Sequence, residues 1–458
     1  MTIKLTARKH TAGMPRTGSK TKARSDQTFA GRQAAGSRVK PRLSQGSRGR
    51  RSAGKGASAR KGRSGSAALR RQRRKRMLVL KGRGSSVSVR PSRLAQEPAL
   101  PGRRRQAGLS EAYASGRSAG FAARSAEIHG ESAGAGVHPQ GQGQLAPPQP
   151  AEPVHVQPLQ AFRRSLAEWF GLRSAKRPSF RDALALGLAF REGYARAAGL
   201  SPAALGVPVP LQGKATVVIT ACNEERTLGP LLDELDRLPL HERIVVLNGC
   251  TDGSFAEVKK RDNVVIAYDP ERLGHDVGRS IGAALASGDS LLFMDGDMQV
   301  PAEELAAFLY ERESGNDVVL NDISAFLPPF GRQDEVTRCK VFLNQALGRP
   351  DLGSSSLTAV PHVLSRRALE AIGTAALAVP PKAQAIAILE GLVVSAPCTA
   401  EVIQRNRLRE GNSGTGNQVA QLIVGDHAEA LNEAVRRLGP RLYWQSMPRQ
   451  ELAKARNG

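Results

Sequence analysis

From about residue 213 the chain alternates two textures. Short apolar, β-branched runs are followed by stretches with helical spacing of apolar residues, the mark of an α/β fold with a parallel sheet. Ala215-Thr216-Val217-Val218-Ile219-Thr220 reads as a buried strand, and residues 224–238 as a helix. Arg243-Ile244-Val245-Val246-Leu247 is a second strand closed by the turn Asn248-Gly249, and 263–267 a third. Residues 278–286 form a helix whose Gly282, Ala283 and Ala284 permit close packing, and Ser290-Leu291-Leu292-Phe293-Met294 is a fourth strand ending on Asp295-Gly296-Asp297. Upstream, Leu159, Phe162, Leu166, Trp169 and Phe170 fall on one helical face, and a second helix opens after Pro178-Ser179 and runs over 180–198. Apolar stripes of this kind usually face a core, so 151–212 is expected to pack on the main domain rather than lie on a membrane surface.

Composition divides the 458 residues differently. The net charge of +26 is confined to the first third: residues 1–150 carry about 33 Lys and Arg against about 5 Asp and Glu, and the remainder about 34 against 36. That excludes a uniformly basic nucleic-acid-binding protein. Residues 1–150, rich in Gly, Ser, Ala and Arg, are expected to be a disordered basic tail and linker, because so little apolar surface does not offset the entropy of ordering. Its densest run, Arg70-Arg71-Gln72-Arg73-Arg74-Lys75-Arg76, suits a polyanion: nucleic acid, anionic lipid or an acidic polymer. A solvated tail without a partner is the alternative, and the lack of interleaved aromatics weakens an RNA reading. No apolar run has the length of a membrane span, and no apolar stretch follows the N-terminal charges, so the expected location is cytoplasmic, or peripheral at a membrane or polyanionic surface. Cys222, Cys250, Cys339 and Cys398 are too scattered for a disulfide framework or zinc ribbon, so free thiols are expected, with Cys222 and Cys250 as small buried fillers.

The chemistry gathers where strands end. In open α/β sheets ligands bind at the carboxyl ends of parallel strands. Three such ends here carry polar clusters: Thr220-Ala221-Cys222-Asn223-Glu224-Glu225, Asn248-Gly249-Cys250-Thr251-Asp252-Gly253, and Asp295-Gly296-Asp297. Two carboxylates about one glycine, straight after a buried strand, suit a hard cation that shares its oxygen ligands with a substrate diphosphate.

These segments, in this order and spacing, resemble family 2 glycosyltransferases. Residues 217–225 look like that family's opening strand and loop, and 244–254 (IVVLNGCTDGS) like its second strand and loop. Residues 274–289 look like its Gly-rich helix, and 294–301 (MDGDMQVP) like its metal-binding DxD segment. The resemblance covers about 90 residues and implies a GT-A fold: a Rossmann-like, mostly parallel sheet flanked by helices, over 213–445, with a short tail at 446–458. It implies a nucleotide-sugar donor held by Thr220, Ala221, Cys222, Glu224, Asn248, Gly249 and Asp295, with His275 and Arg279 in reach of the diphosphate. It also implies a divalent metal, Mn2+ or Mg2+, on Asp297 with Asp295. A hexosyl group is the expected cargo. Leu247-Asn248 stands where many members carry an aspartate, leaving the base open.

The acceptor half, 320–410, looks more faintly similar to the branch making glucosyl- or mannosyl-phosphoglycerate. There a Gly-rich acceptor loop precedes a His-Arg-Asn-Arg segment whose His ligates the metal; here Gln404 takes the His position before Arg405-Asn406-Arg407. The third metal ligand is then open between His362 and His427. An inverting enzyme needs a carboxylate base at the acceptor, for which Asp351 and Glu390 are the candidates; a retaining one needs none. Arg405, Arg407 and Arg409 suit an acidic acceptor, though surface polysaccharide, lipid and small phosphorylated acid all stay open. The competing reading is a degenerate sugar-nucleotide-binding scaffold localised by its basic tail. A nucleotidyltransferase is disfavoured because no Gly-rich phosphate loop follows the first strand.

Overall fold

The computed structural model describes residues 2–4, 102–133, 156–173, 177–403 and 418–457, all within one compact unit, Met1–Ala7 with Val89–Gly458. The polybasic run at 70–76, Gln404 and the three arginines after it lie outside the described residues.

Eight strands form one sheet in the order β1-β4-β3-β2-β5-β7-β6-β8. They are β1 (Thr2–Lys4), β2 (Ala215–Ala221), β3 (Glu242–Asn248), β4 (Val265–Asp269), β5 (Ser290–Asp295), β6 (Val318–Asn321), β7 (His362–Ser365) and β8 (Val394–Cys398). All pairs are parallel except those of β7, which runs antiparallel between β5 and β6. Alternate residues of the central strands enter different cores, which is why the strands read as unbroken apolar runs. Val217, Ile219, Val245, Leu247, Leu292 and Met294 face one. Val218, Ile244, Val246, Leu291 and Phe293 face the other.

Helices α4 (Leu228–Asp236) and α7 (Ala302–Glu313) cover the first face. Helices α6 (Val277–Leu285), α9 (Arg366–Ile372) and α10 (Pro380–Leu389) cover the second; α5 (Ser254–Lys259) follows β3. Beyond α10, α8 (Glu335–Ala346) and α11 (Gln418–Leu438) share a small core of Leu343, Leu347, Ala385, Ala430 and Ala434, and α12 (Arg449–Asn457) ends the described chain. Predicted strands 215–220 and 290–294 match β2 and β5 within a residue. The third strand starts two residues later than expected, and the first helix starts at Leu228 because residues 224–227 turn into the strand-end loop.

Upstream, α2 (Val156–Arg173) and α3 (Phe180–Ala198) bury Phe162, Leu166, Phe190 and Tyr194 together. Phe162 packs edge-on against Tyr194 at 5.2 Å between centroids. These helices join the sheet domain through polar ties: Arg163 donates to the Leu238 carbonyl at 2.8 Å, Arg177 pairs with Glu313 at 3.1 Å, and the Tyr310 hydroxyl donates to the Pro178 carbonyl at 2.7 Å. Two stretches of the expected disordered tail are ordered, the first being residues 2–4, which form the edge strand β1 paired with β4. Residues 102–133, assigned to the disordered tail, form α1 (Gly102–Ala133), packed on α3. Its small residues bring backbones together instead of supplying large side chains: a Cβ on Gly116 would lie 2.0 Å from the Phe190 carbonyl oxygen, and one on Gly193 2.0 Å from that of Tyr113.

Candidate active site

Strands β2, β3 and β5 end level with one another, since Ala221 pairs with Leu247 and Thr220 with Asp295. Their loops wall an open cleft. Thr220, Ala221, Cys222 and Glu224 line it from β2, Asn248 from β3, His275 and Asp276 from the start of α6, and Asp295, Gly296 and Asp297 from β5. Eight of these residues are among those expected from the sequence to form the site.

Each wall is braced by the next. Asn248 accepts from the Leu273 amide at 2.8 Å and donates to the Gly274 carbonyl at 2.7 Å, so it pins the loop carrying His275. Gly249 (φ +66°) makes the turn beneath that loop; it does not line the cleft but fits where a Cβ would meet Arg272. Asn223, with φ +62°, accepts from the Thr251 amide at 2.7 Å, tying the first loop to the second. Glu224 is buried, its amide donating to Ser254 Oγ at 2.8 Å. Thr227 Oγ1 donates to the Gly296 carbonyl at 2.6 Å, and the Gly296 amide to the Thr220 carbonyl at 2.8 Å, holding the turn between the two aspartates against β2.

Arg279 is the buried cation under the cleft floor. It pairs with Asp276 at 3.2 Å and Asp295 at 3.4 Å and donates to the Leu357 carbonyl at 3.0 Å. Burial opposes its charge, but Asp276 and Asp295 together hold the guanidinium above its ordinary pKa. Asp295 also accepts from Thr220 Oγ1 at 3.0 Å, so its charge is partly spoken for.

Asp295 and Asp297 stand on either side of Gly296 at the cleft, an oxygen donor set that suits Mg2+ or Mn2+. Among the described residues no group of three His, Cys, Asp or Glu side chains gathers closely enough to hold a metal ion.

Neither histidine named as third ligand lines the cleft. His362, on β7, is buried beneath it, stacked on Phe293 at 5.1 Å with Nδ1 3.0 Å from the Ala359 carbonyl oxygen. Burial first, and then Arg279, lower its pKa to about 3. His427 is buried on α11 with Nδ1 2.7 Å from the Ile423 carbonyl oxygen. The two carboxylates named as bases are also elsewhere. Asp351 is exposed and pairs with Arg349 at 2.7 Å; Glu390, at the end of α10, pairs with Arg437 at 2.7 Å. His275, expected only at the diphosphate, is the histidine that lines the cleft.

Three charged residues were missed. Asp276 lines the cleft and braces Arg279. Asp426 of α11 feels Asp276 and His275; burial, reinforced by Asp276 and Glu429, pushes its carboxyl up to about 6. Lys340 of α8 is pushed down to about 8 by burial, with Arg279 adding to the effect. Asp276 adjoins a nominated position, which was a usable signal. Asp426 and Lys340 sit in plain amphipathic helices far from the motifs, and no local pattern marks them.

Residues 216–370 match the family described as Glycosyl transferase family 2. No curated protein matches the sequence significantly. Among solved structures, the chain is similar to glucosyl-3-phosphoglycerate synthase from Mycobacterium tuberculosis in complex with Mn2+, UDP and phosphoglyceric acid, at 19% identity and a TM-score of 0.37, over 49% of this chain and 78% of that one. A second structure of that enzyme, with Mg2+ and UDP, aligns at 16% identity and a TM-score of 0.36, over 48% of this chain and 80% of that one. The strand-end cleft lies inside the stretch that matches this glycosyltransferase family. The matched stretch opens on β2 and closes within α9.

Proposed function

We propose that this domain transfers a hexosyl group from a nucleotide-diphosphate sugar, with a divalent metal, to an acceptor held by the half that follows β5. The observation that carries the reading is the convergence of Thr220, Cys222, Glu224, Asn248, Asp295 and Asp297 on one cleft at the carboxyl edge of the sheet. In this reading the base and ribose lie against the β2 and β3 loops. Asn248 keeps the α6 loop in place, so that His275 faces the diphosphate. Asp297, with Asp295, holds Mn2+ or Mg2+, which when bound neutralises charge growing on the leaving diphosphate. Arg279 acts from below: paired with Asp276 and Asp295, it fixes the orientation of the Asp295 carboxylate.

The test is thermal stabilisation of the full chain by UDP-, GDP- and dTDP-sugars, with and without Mn2+. A ligand at 100 times its dissociation constant adds about 2.7 kcal/mol, a readily measured melting shift. A metal-dependent shift with one nucleotide, abolished in Asp297→Ala with the fold intact, is the expected result. A well-folded protein that responds to no donor would instead support the scaffold reading.

A further inference from the structure

The loops after β2 and β3 each carry one cysteine, and their sulfurs reach across to each other's backbone. Cys250 Sγ donates to the Ala221 carbonyl at 3.5 Å and accepts from the Asn223 amide at 3.5 Å, so it lies over the backbone of Cys222. Cys222 Sγ reaches the other way, 3.8 Å from the Gly249 carbonyl oxygen and next to Cys250 in sequence. Both sulfurs thus lie in the gap between the two loops, each within 3.8 Å of backbone next to the other cysteine. Cys222 also lines the cleft, and Arg272 donates to its sulfur at 3.2 Å. Nothing in the glycosyl-transfer reading uses either thiol as a thiol.

We propose that Cys222 and Cys250 form an oxidation site, closed to a disulfide by a small peroxide that enters through the donor cleft. Cys222, the sulfur facing the cleft, attacks one peroxide oxygen. The O–O bond breaks, and the departing hydroxide takes up the thiol proton as water. Cys250 then attacks the resulting sulfenic sulfur; an S–S bond forms, the S–O bond breaks and a second water leaves with the Cys250 proton. Two thiols and one hydrogen peroxide give one disulfide and two waters. The order of attack suits the surroundings, since burial raises the Cys250 thiol pKa and leaves it the slower first nucleophile. The link draws Cys222 off its place in the cleft wall and releases Arg272 from it. Donor binding then becomes sensitive to oxidation, a consequence that rests on the proposed function.

The experiment treats the full chain with hydrogen peroxide, blocks remaining thiols, digests with trypsin without reduction and maps the products. Residues 215–226 and 244–259 are separate tryptic peptides holding one cysteine each. The expected result is one linked pair of these peptides, two of four thiols lost, and full reversal by dithiothreitol. Cys250→Ser should form no link and leave a sulfenic acid on Cys222 that dimedone traps. Oxidation of Cys222 without the link, or a link to Cys339 or Cys398, would overturn the proposal. Mapping needs no nucleotide, so it stands or falls independently of the donor assignment. If a donor shift exists, peroxide should abolish it and dithiothreitol restore it; a shift unchanged in fully linked protein would overturn the effect on binding.

Discussion

At the scale of single residues, the cleft depends on backbone turns and on charges that compensate one another. Gly249 is the clearest turn. An alanine there would hold a Cβ 2.5 Å from Arg272 Cγ and 3.0 Å from its amide nitrogen, at a φ that disfavours side chains. Gly249→Ala should cost about 1–3 kcal/mol in denaturant unfolding and weaken nucleotide binding in the thermal assay. His362 gives a pH signature. Its folded pKa of about 3 lies below the ordinary 6.5, so between those values the unfolded chain binds the extra proton. Its contribution to stability is complete above pH 6.5 and is lost as pH falls towards 3, with a slope of at most about 1.4 kcal/mol per pH unit. In His362→Gln, stability measured between pH 6.5 and 4 should fall less steeply than in the parent. The strand-end residues were legible because strand and loop are contiguous, so chain order places Asp295 and Asp297 at a sheet edge. The braces, such as Arg279 on Leu357 or Thr227 on Gly296, join positions 78 and 69 residues apart and leave no local trace.

At the scale of elements, strand signals carried well because both faces of the central sheet are covered and demand unbroken apolar runs. The antiparallel β7 and the short β6 and β8 were not anticipated; at four or five residues each they resemble loop sequence. Helix α1 escaped for a different reason. Its stability comes from close backbone contact with α3 through glycines, whereas the tail reading weighed apolar side chains. Gly193→Val places side-chain carbons against the Tyr113 carbonyl, where a Cβ alone would already stand 2.0 Å away. The expected outcome is an undocked α1, cleaved sooner in limited proteolysis, with about 1–3 kcal/mol lost in unfolding.

At the scale of the whole molecule, α1 and α2 belong to the folded body, so a cut at residue 151 is not neutral. Such a fragment loses the helix that covers Phe190 and Tyr194, both fully buried in the complete chain. It should melt lower and bind more of a hydrophobic dye than a fragment beginning just before Gly102; equal melting points would show that α1 contributes nothing. No helix among the described residues is long and apolar enough to cross a membrane. The sequence by itself determined the α/β class and the strand-end residues of the cleft, because both depend on periodicity and on loops contiguous with their strands. Only the tertiary structure decided the rest. It put Asp351 and Glu390 into ion pairs away from the cleft, set His362 beneath its floor and brought Asp426 and Lys340 towards it. It also crossed the sulfurs of Cys222 and Cys250. Those placements follow from how separate segments pack, and packing between distant segments is not encoded at any one position of the chain.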